Sequence, residues 1–75
     1  PEELRAKTKQ AGEKLVSEAQ TQRDKLVEEA SKKGTLAKLA AQKAGDKLVE
    51  EAEKQAANLE SEAEKQIEKL TAEKE

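Results

Sequence analysis

The sequence has no cysteine, no histidine, no methionine and no aromatic residue, and only one proline and three glycines in 75 positions. Each absence removes something. Without cysteine there is no disulfide framework, and the redox compartment leaves no mark on the chain. Without cysteine and histidine the usual ligands of a structural zinc site are missing, and so are the usual nucleophile and base of covalent catalysis. Without aromatic rings there is no surface on which a nucleic-acid base can stack. The longest apolar run is the three residues from Leu39 to Ala41, so this sequence contains neither a membrane-spanning helix nor the apolar stretch of a signal peptide.

Charge is abundant but balanced, with 15 basic and 17 acidic residues. Neither half of the chain is basic enough to neutralise many phosphates, which argues against nucleic acid as a partner. Of the 25 apolar residues 13 are alanine, leaving 8 leucines, 3 valines and one isoleucine as large aliphatic side chains. That is too little to seal a globular core. Small folds in this position rely on disulfides, a metal or self-association, and only the third is open here. The expected partners are a second copy or another helical protein. The chain starts at Pro1 with no initiator methionine, and the expectation is a single module within a larger protein.

What is present is a repeat. "AGEKLVSEA" at Ala11 to Ala19 returns 33 positions later as "AGDKLVEEA" at Ala44 to Ala52, and 33 is three times 11. With an 11-residue period one column reads Leu4, Leu15, Leu26, Ala37, Leu48, Leu59, Leu70. A second reads Thr8, Ala19, Ala30, Ala41, Ala52, Ala63, Lys74, and a third Pro1, Gly12, Arg23, Gly34, Gly45, Ala56, Ile67. The fourth, Arg5, Val16, Val27, Lys38, Val49, Glu60, Thr71, is half apolar. Eleven residues over three turns is about 3.67 per turn, so the columns run nearly straight along a helix with a slight right-handed drift. They span about 100° of arc, the width of a face that packs on another helix.

The predicted helix-packing face therefore comprises Leu4, Leu15, Val16, Ala19, Leu26, Val27, Ala30, Ala41, Leu48, Val49, Ala52, Ala56, Leu59, Ala63, Ile67 and Leu70. Lys14, Lys25, Lys47 and Lys69 form one column on the far side, and Lys32, Lys43, Lys54 and Lys65 an adjacent one. Acidic columns flank them: Glu18, Glu29, Glu51, Glu62 and Glu73 on one side, Glu2, Glu13, Asp24, Asp46 and Glu68 on the other. Glu28 with Lys32 and Glu50 with Lys54 have the favourable i,i+4 order.

The pattern breaks between Ser31 and Gly45. Leu36 and Leu39 fall on the lysine side, where a straight helix would leave them in water. Lys32 and Lys33 followed by Gly34 read as a helix stop, and Thr35 as a possible N-cap. The sequence thus predicts an all-α fold: a helix over about 3–33, a turn at Gly34 and Thr35, and a second helix over about 36–74, packed as an antiparallel helical hairpin that self-associates. The alternative is one continuous helix in a coiled coil, because Gly12 and Gly45 share the repeat position of Gly34 inside helical segments. Leu36 and Leu39 then either close the hairpin end, meet another protomer, or anchor a separate partner. Gly12 and Gly45 mark close helix contact rather than hinges.

The "KLVxEA" units and "EKQAANLESEAEKQIEKL" resemble several groups of 11-residue-repeat helical proteins. Late embryogenesis abundant proteins and exchangeable apolipoproteins share the amphipathic 11-mer. The peripheral-stalk coiled coils of rotary ATPases are similar over Asp46 to Leu70, and repetitive helical tails of bacterial envelope proteins over Leu36 to Ala41. These resemblances imply a structural or spacer role, with a conditionally folded lipid-surface binder or stress protectant as the alternative. A membrane surface is disfavoured by charge placement, because lysine lies opposite the apolar stripe rather than beside it, where its stem could snorkel.

No catalytic, cofactor or metal site is predicted. Thr8, Ser17, Thr21, Ser31, Thr35, Ser61 and Thr71 are scattered without a base. Glu28 with Glu29, Glu50 with Glu51, and Glu60 with Glu62 are paired carboxylates, but narrow Leu/Ala stripes build no cleft in which they could converge. Glu60 to Glu64 lacks the glycine-bearing loop of a calcium site, and "KKGT" lacks the glycine-rich approach of a phosphate loop. The expectation is a non-enzymatic structural and interaction module.

Overall fold

A computed structural model describes the backbone of residues 1–74 and the side chains of residues 1–72. Glu73 and Lys74, which complete two of the columns, therefore lie outside the described side chains. The chain forms two helices, α1 over Glu2–Ser31 and α2 over Thr35–Lys74, folded back on each other as an antiparallel hairpin. Alanine, leucine, lysine, glutamine and glutamate, all strong helix formers, fill most positions of both. Glu2 and Glu3 in the first turn of α1 suit the positive end of its dipole. The Cα extents are 62 × 16 × 7 Å, a slab one helix thick and two helices wide.

The turn lies one to two residues earlier than the sequence predicts. At the end of α1 the Lys32 and Lys33 N–H groups donate to the carbonyls of Glu29 and Ala30, three residues back, which tightens the last turn and stops the ladder at Ser31. Gly34 then takes φ 129°, a backbone conformation that a side chain would strain. Its carbonyl accepts the Lys38 N–H at 3.0 Å, so Gly34 occupies the capping position and Thr35 is the first helical residue, not the N-cap. With α1 ending at Ser31, Lys32 lies beyond the helix and forms no ion pair with Glu28. The other predicted pair does form, Lys54 Nζ standing 3.8 Å from Glu50 Oε1.

Two close approaches fix the register. A Cβ built on Gly12 would stand 3.0 Å from the Cβ of Ala56, and one built on Gly45 would overlap the Cβ and Cγ of Arg23. Both pairs have residue numbers that add to 68, so residue i of α1 lies level with residue 68 − i of α2. The 33-residue echo now has a structural meaning. Moving Gly12 forward and Ala56 back by 33 gives Gly45 and Arg23, so one half of the repeat writes the contact that the other half receives. Gly12 and Gly45 mark close contact, as the sequence predicts.

The centre of the seam is therefore the pair of alanine-bearing and glycine-bearing columns rather than the leucine column. Ala19, Ala52, Ala63 and Ile67 are the buried apolar residues, with Gly12 and Gly45 beside them. Leu4, Leu15, Val16, Val27, Ala30, Ala41, Val49 and Ala56 are half-buried. Leu26, Leu48, Leu59 and Leu70, placed by the sequence on the packing face, remain 39–54% exposed. The reason is geometric: helices that meet through glycine and alanine come so close that a leucine about 65° around the helix reaches past the partner instead of into it.

Gly12→Val is expected to lower the unfolding free energy by about 1–3 kcal/mol, because the added atoms must push α2 away at Ala56. Ala6→Val, on the exposed side of α1, should cost less than about 0.7 kcal/mol from helix propensity alone. Denaturant unfolding of the two variants checks the difference.

Candidate functional site: an unpartnered leucine face

The seam gives the hairpin two unlike broad faces. On one, Leu15, Ala19, Leu48 and Ala52 floor a single shallow groove with Glu18, Lys47 and Glu51 at its margin, which continues into one lined by Leu15, Gln55, Leu59 and Glu62. The leucine columns of both helices thus emerge on the same side. The register brings each within one residue of level with an alanine of the opposite helix, Leu15 with Ala52, Leu48 with Ala19 and Leu26 with Ala41, and these leucines still present an edge to solvent.

The column just outside the leucines is nearly free of charge. It reads Ala11, Gln22, Lys33, Ala44, Gln55, Gln66. Glu18, Glu29, Glu51 and Glu62 follow only one column further round. Neutral side chains beside a half-exposed apolar stripe lose little when water is removed, whereas charged ones would resist it.

The opposite face is closed by ions. Arg5 Nε donates to Glu64 Oε1 at 2.8 Å, and Arg5 Nη1 reaches Glu2 Oε1 at 3.2 Å. Further along, Arg23 Nη1 stands 3.8 Å from Asp46 Oδ1 and its Nε 3.5 Å from Asp24 Oδ1. Arg23 lies in the seam column, its stem covering Gly45 and its guanidinium reaching the acidic edge. The sequence places Arg23 in that column but assigns it no role; a lone long side chain among glycines is the signal that marks it. The hydrogen bond from Arg5, opposed in part by desolvation and helped by the nearby positive charge, lowers the pKa of Glu64. The same bond, with the negative charge of Glu64, raises that of Arg5.

Three of the seven scattered hydroxyls are spent on the backbone. Thr21, Ser31 and Thr71 donate to the carbonyls of Ser17, Glu28 and Ile67 at 2.8–3.0 Å, a common use of such residues within helices. Among the described residues no three Asp or Glu side chains converge as they would around a metal ion, and no helix is long and apolar enough to cross a membrane. Leu36, 83% exposed, and Leu39, 52% exposed, stand at the turn end and close nothing within the chain. The features best organised for an interaction are therefore the leucine face and these two leucines.

Because the folded chain holds Glu64 below its ordinary pKa of 4.5, the ion pair adds stability above that value and loses it as pH falls through the lowered one. Thermal unfolding followed between about pH 6 and about pH 2 should show a steeper acid-side loss for the parent chain than for Glu64→Gln. No family model, no curated protein and no solved structure matches the chain.

Proposed function

We propose that this chain is a non-enzymatic structural and interaction module, a stiff helical hairpin that associates with a second copy or another helical protein through its leucine face and serves as a spacer or scaffold element. The observation that carries the reading is the leucine stripe, drawn from both helices onto one side as a shallow groove whose edge carries alanine and glutamine before any charge. Surface area supports it. The hairpin exposes 6133 Å², where a compact monomer of 8.2 kDa would expose about 4500 Å². The surplus exceeds the roughly 800 Å² that each partner covers in a standard interface.

The arrangement suits helices better than lipid. The acidic column of Glu18, Glu29, Glu51 and Glu62 lies near the leucine edge, so an anionic bilayer would meet carboxylates before ammonium groups. A helical partner can instead place lysines of its own against them. The resemblance to stalk-like and tail-like 11-residue repeats agrees with a mechanical rather than a chemical role.

The test is sedimentation equilibrium with far-UV circular dichroism over a concentration series. The parent chain should gain mass, and helix content should not fall as it does so. Replacing Leu26, Leu48 and Leu59 together by glutamine should reduce the species to monomer at concentrations where the parent associates. A parent chain that stays monomeric and fully helical to millimolar concentration removes self-association, and a triple variant that associates as well as the parent removes the leucine face.

A further inference from the structure

Two facts about Gly34 together say what else this chain can form. The first is phase. In a hairpin the turn may contain any number of residues, since the second helix is free to choose its own rotation. Here the 11-residue count runs through the turn without a residue gained or lost: Gly12, Arg23, Gly34, Gly45 and Ala56 are evenly spaced. The second is position. With residue i level with residue 68 − i, the residue that lies level with itself is Gly34.

Together these mean that a single straight helix from Glu2 to Lys74 would carry the whole seam column on one side. Two such helices, laid antiparallel about a two-fold axis at Gly34, would remake every contact of the hairpin between chains: Gly12 on Ala56, Gly45 against Arg23, Arg5 with Glu64 and Arg23 with Asp46. At the axis the two chains meet glycine to glycine, the pair that lets backbones approach most closely.

We propose that the chain exchanges helices with a second copy by straightening at Gly34, converting two hairpins into one extended antiparallel two-chain rod. The conversion asks little of the backbone. Lys32 already has helical angles, φ −72° and ψ −20°, and among the described residues positive φ is confined to Gly34, at 129°. Straightening joins the loose carbonyls at the end of α1 to the loose N–H groups at the start of α2. Against it stand the cost of glycine inside a helix and the loss of the intramolecular advantage, so the hairpin holds at low concentration and the rod gains as concentration rises. Exchange of identical elements across a short hinge is a low-cost route to a dimer. It uses the seam rather than the leucine face, so it stands or fails separately from association through leucines.

The lack of native cysteine allows a direct test on the full chain. In the double variant Gly12→Cys/Ala56→Cys the two Cβ atoms would start 3.0 Å apart, close to the roughly 3.5–4.5 Å of a disulfide. Oxidised at rising concentration and run without reductant, the exchanged form gives a covalent dimer; the hairpin gives a cross-linked monomer even when it associates through its leucines. Gly34→Ala should favour exchange at least about tenfold, because alanine dislikes the turn and prefers the helix. Inserting Gly-Ser between Lys33 and Gly34 should abolish exchange, since two residues rotate the second half of a continuous helix by about 196° while the hairpin turn accommodates them.

Length gives a readout that needs no thiols. By small-angle scattering the Gly34→Ala chain should lengthen from the 62 Å of the hairpin to about 110 Å. Cross-links confined to single chains at millimolar concentration, or a Gly34→Ala chain that is helical and still hairpin-length, overturn the proposal. Interchain links that disappear with the insertion support it.

Discussion

Everything in this hairpin depends on how closely two helices can approach. Gly12 facing Ala56 and Gly45 facing the stem of Arg23 bring the backbones together over a strip of small side chains, and the close approach substitutes dispersion contacts along the length for the bulky core that the composition does not supply. The large aliphatic residues are displaced outward as a direct result. A seam built from leucine would have held the helices further apart and buried its leucines. A seam built from glycine and alanine places them at the rim, where they are half covered and remain free to meet something else.

The two edges of the seam then diverge in character. One is secured by Arg5 with Glu64 and Arg23 with Asp46, pairs at the surface whose individual worth is modest but which agree on register, since the residue numbers of both add to 69, one more than those of the glycine contacts. Among the described residues the other edge carries no ion pair between the helices. It offers leucine, alanine and glutamine with Glu18, Lys47, Glu51 and Glu62 at the margin, and it is the edge through which association is proposed. A molecule with ions on one side and leucines on the other has an unambiguous direction in which to dock.

Much of this is legible in the amino-acid sequence. The 11-residue period identifies long helices, and the lysine column at the far side identifies their exposed surface. The break at Ser31 to Gly45 locates the reversal, because Leu36 and Leu39 contradict the stripe there. What the linear pattern does not resolve is which column lies at the centre. Hydrophobicity ranks leucine above glycine, so the sequence puts every leucine of the stripe on the packing face without distinguishing centre from edge; contact geometry ranks them the other way, because the smallest residue permits the shortest distance. For the same reason the role of Arg23 is hidden, as its value lies in an aliphatic stem that covers glycine and a charge that reaches sideways. The one-residue difference at Thr35 has a local cause: Gly34 can cap through its own carbonyl and a positive φ, without any side-chain oxygen.

Antiparallel pairing with both chain ends at the same extremity has a mechanical consequence. Tension applied between Pro1 and the far end of α2 does not slide one helix along the other; it peels them apart from the open end toward the turn. The Arg5–Glu64 bridge takes the first load, then Gly12 on Ala56, then Arg23 on Gly45, so that the contacts part in sequence rather than together. The hairpin should resist compression along its length as a strut while opening under a pull at its ends like a zip fastener.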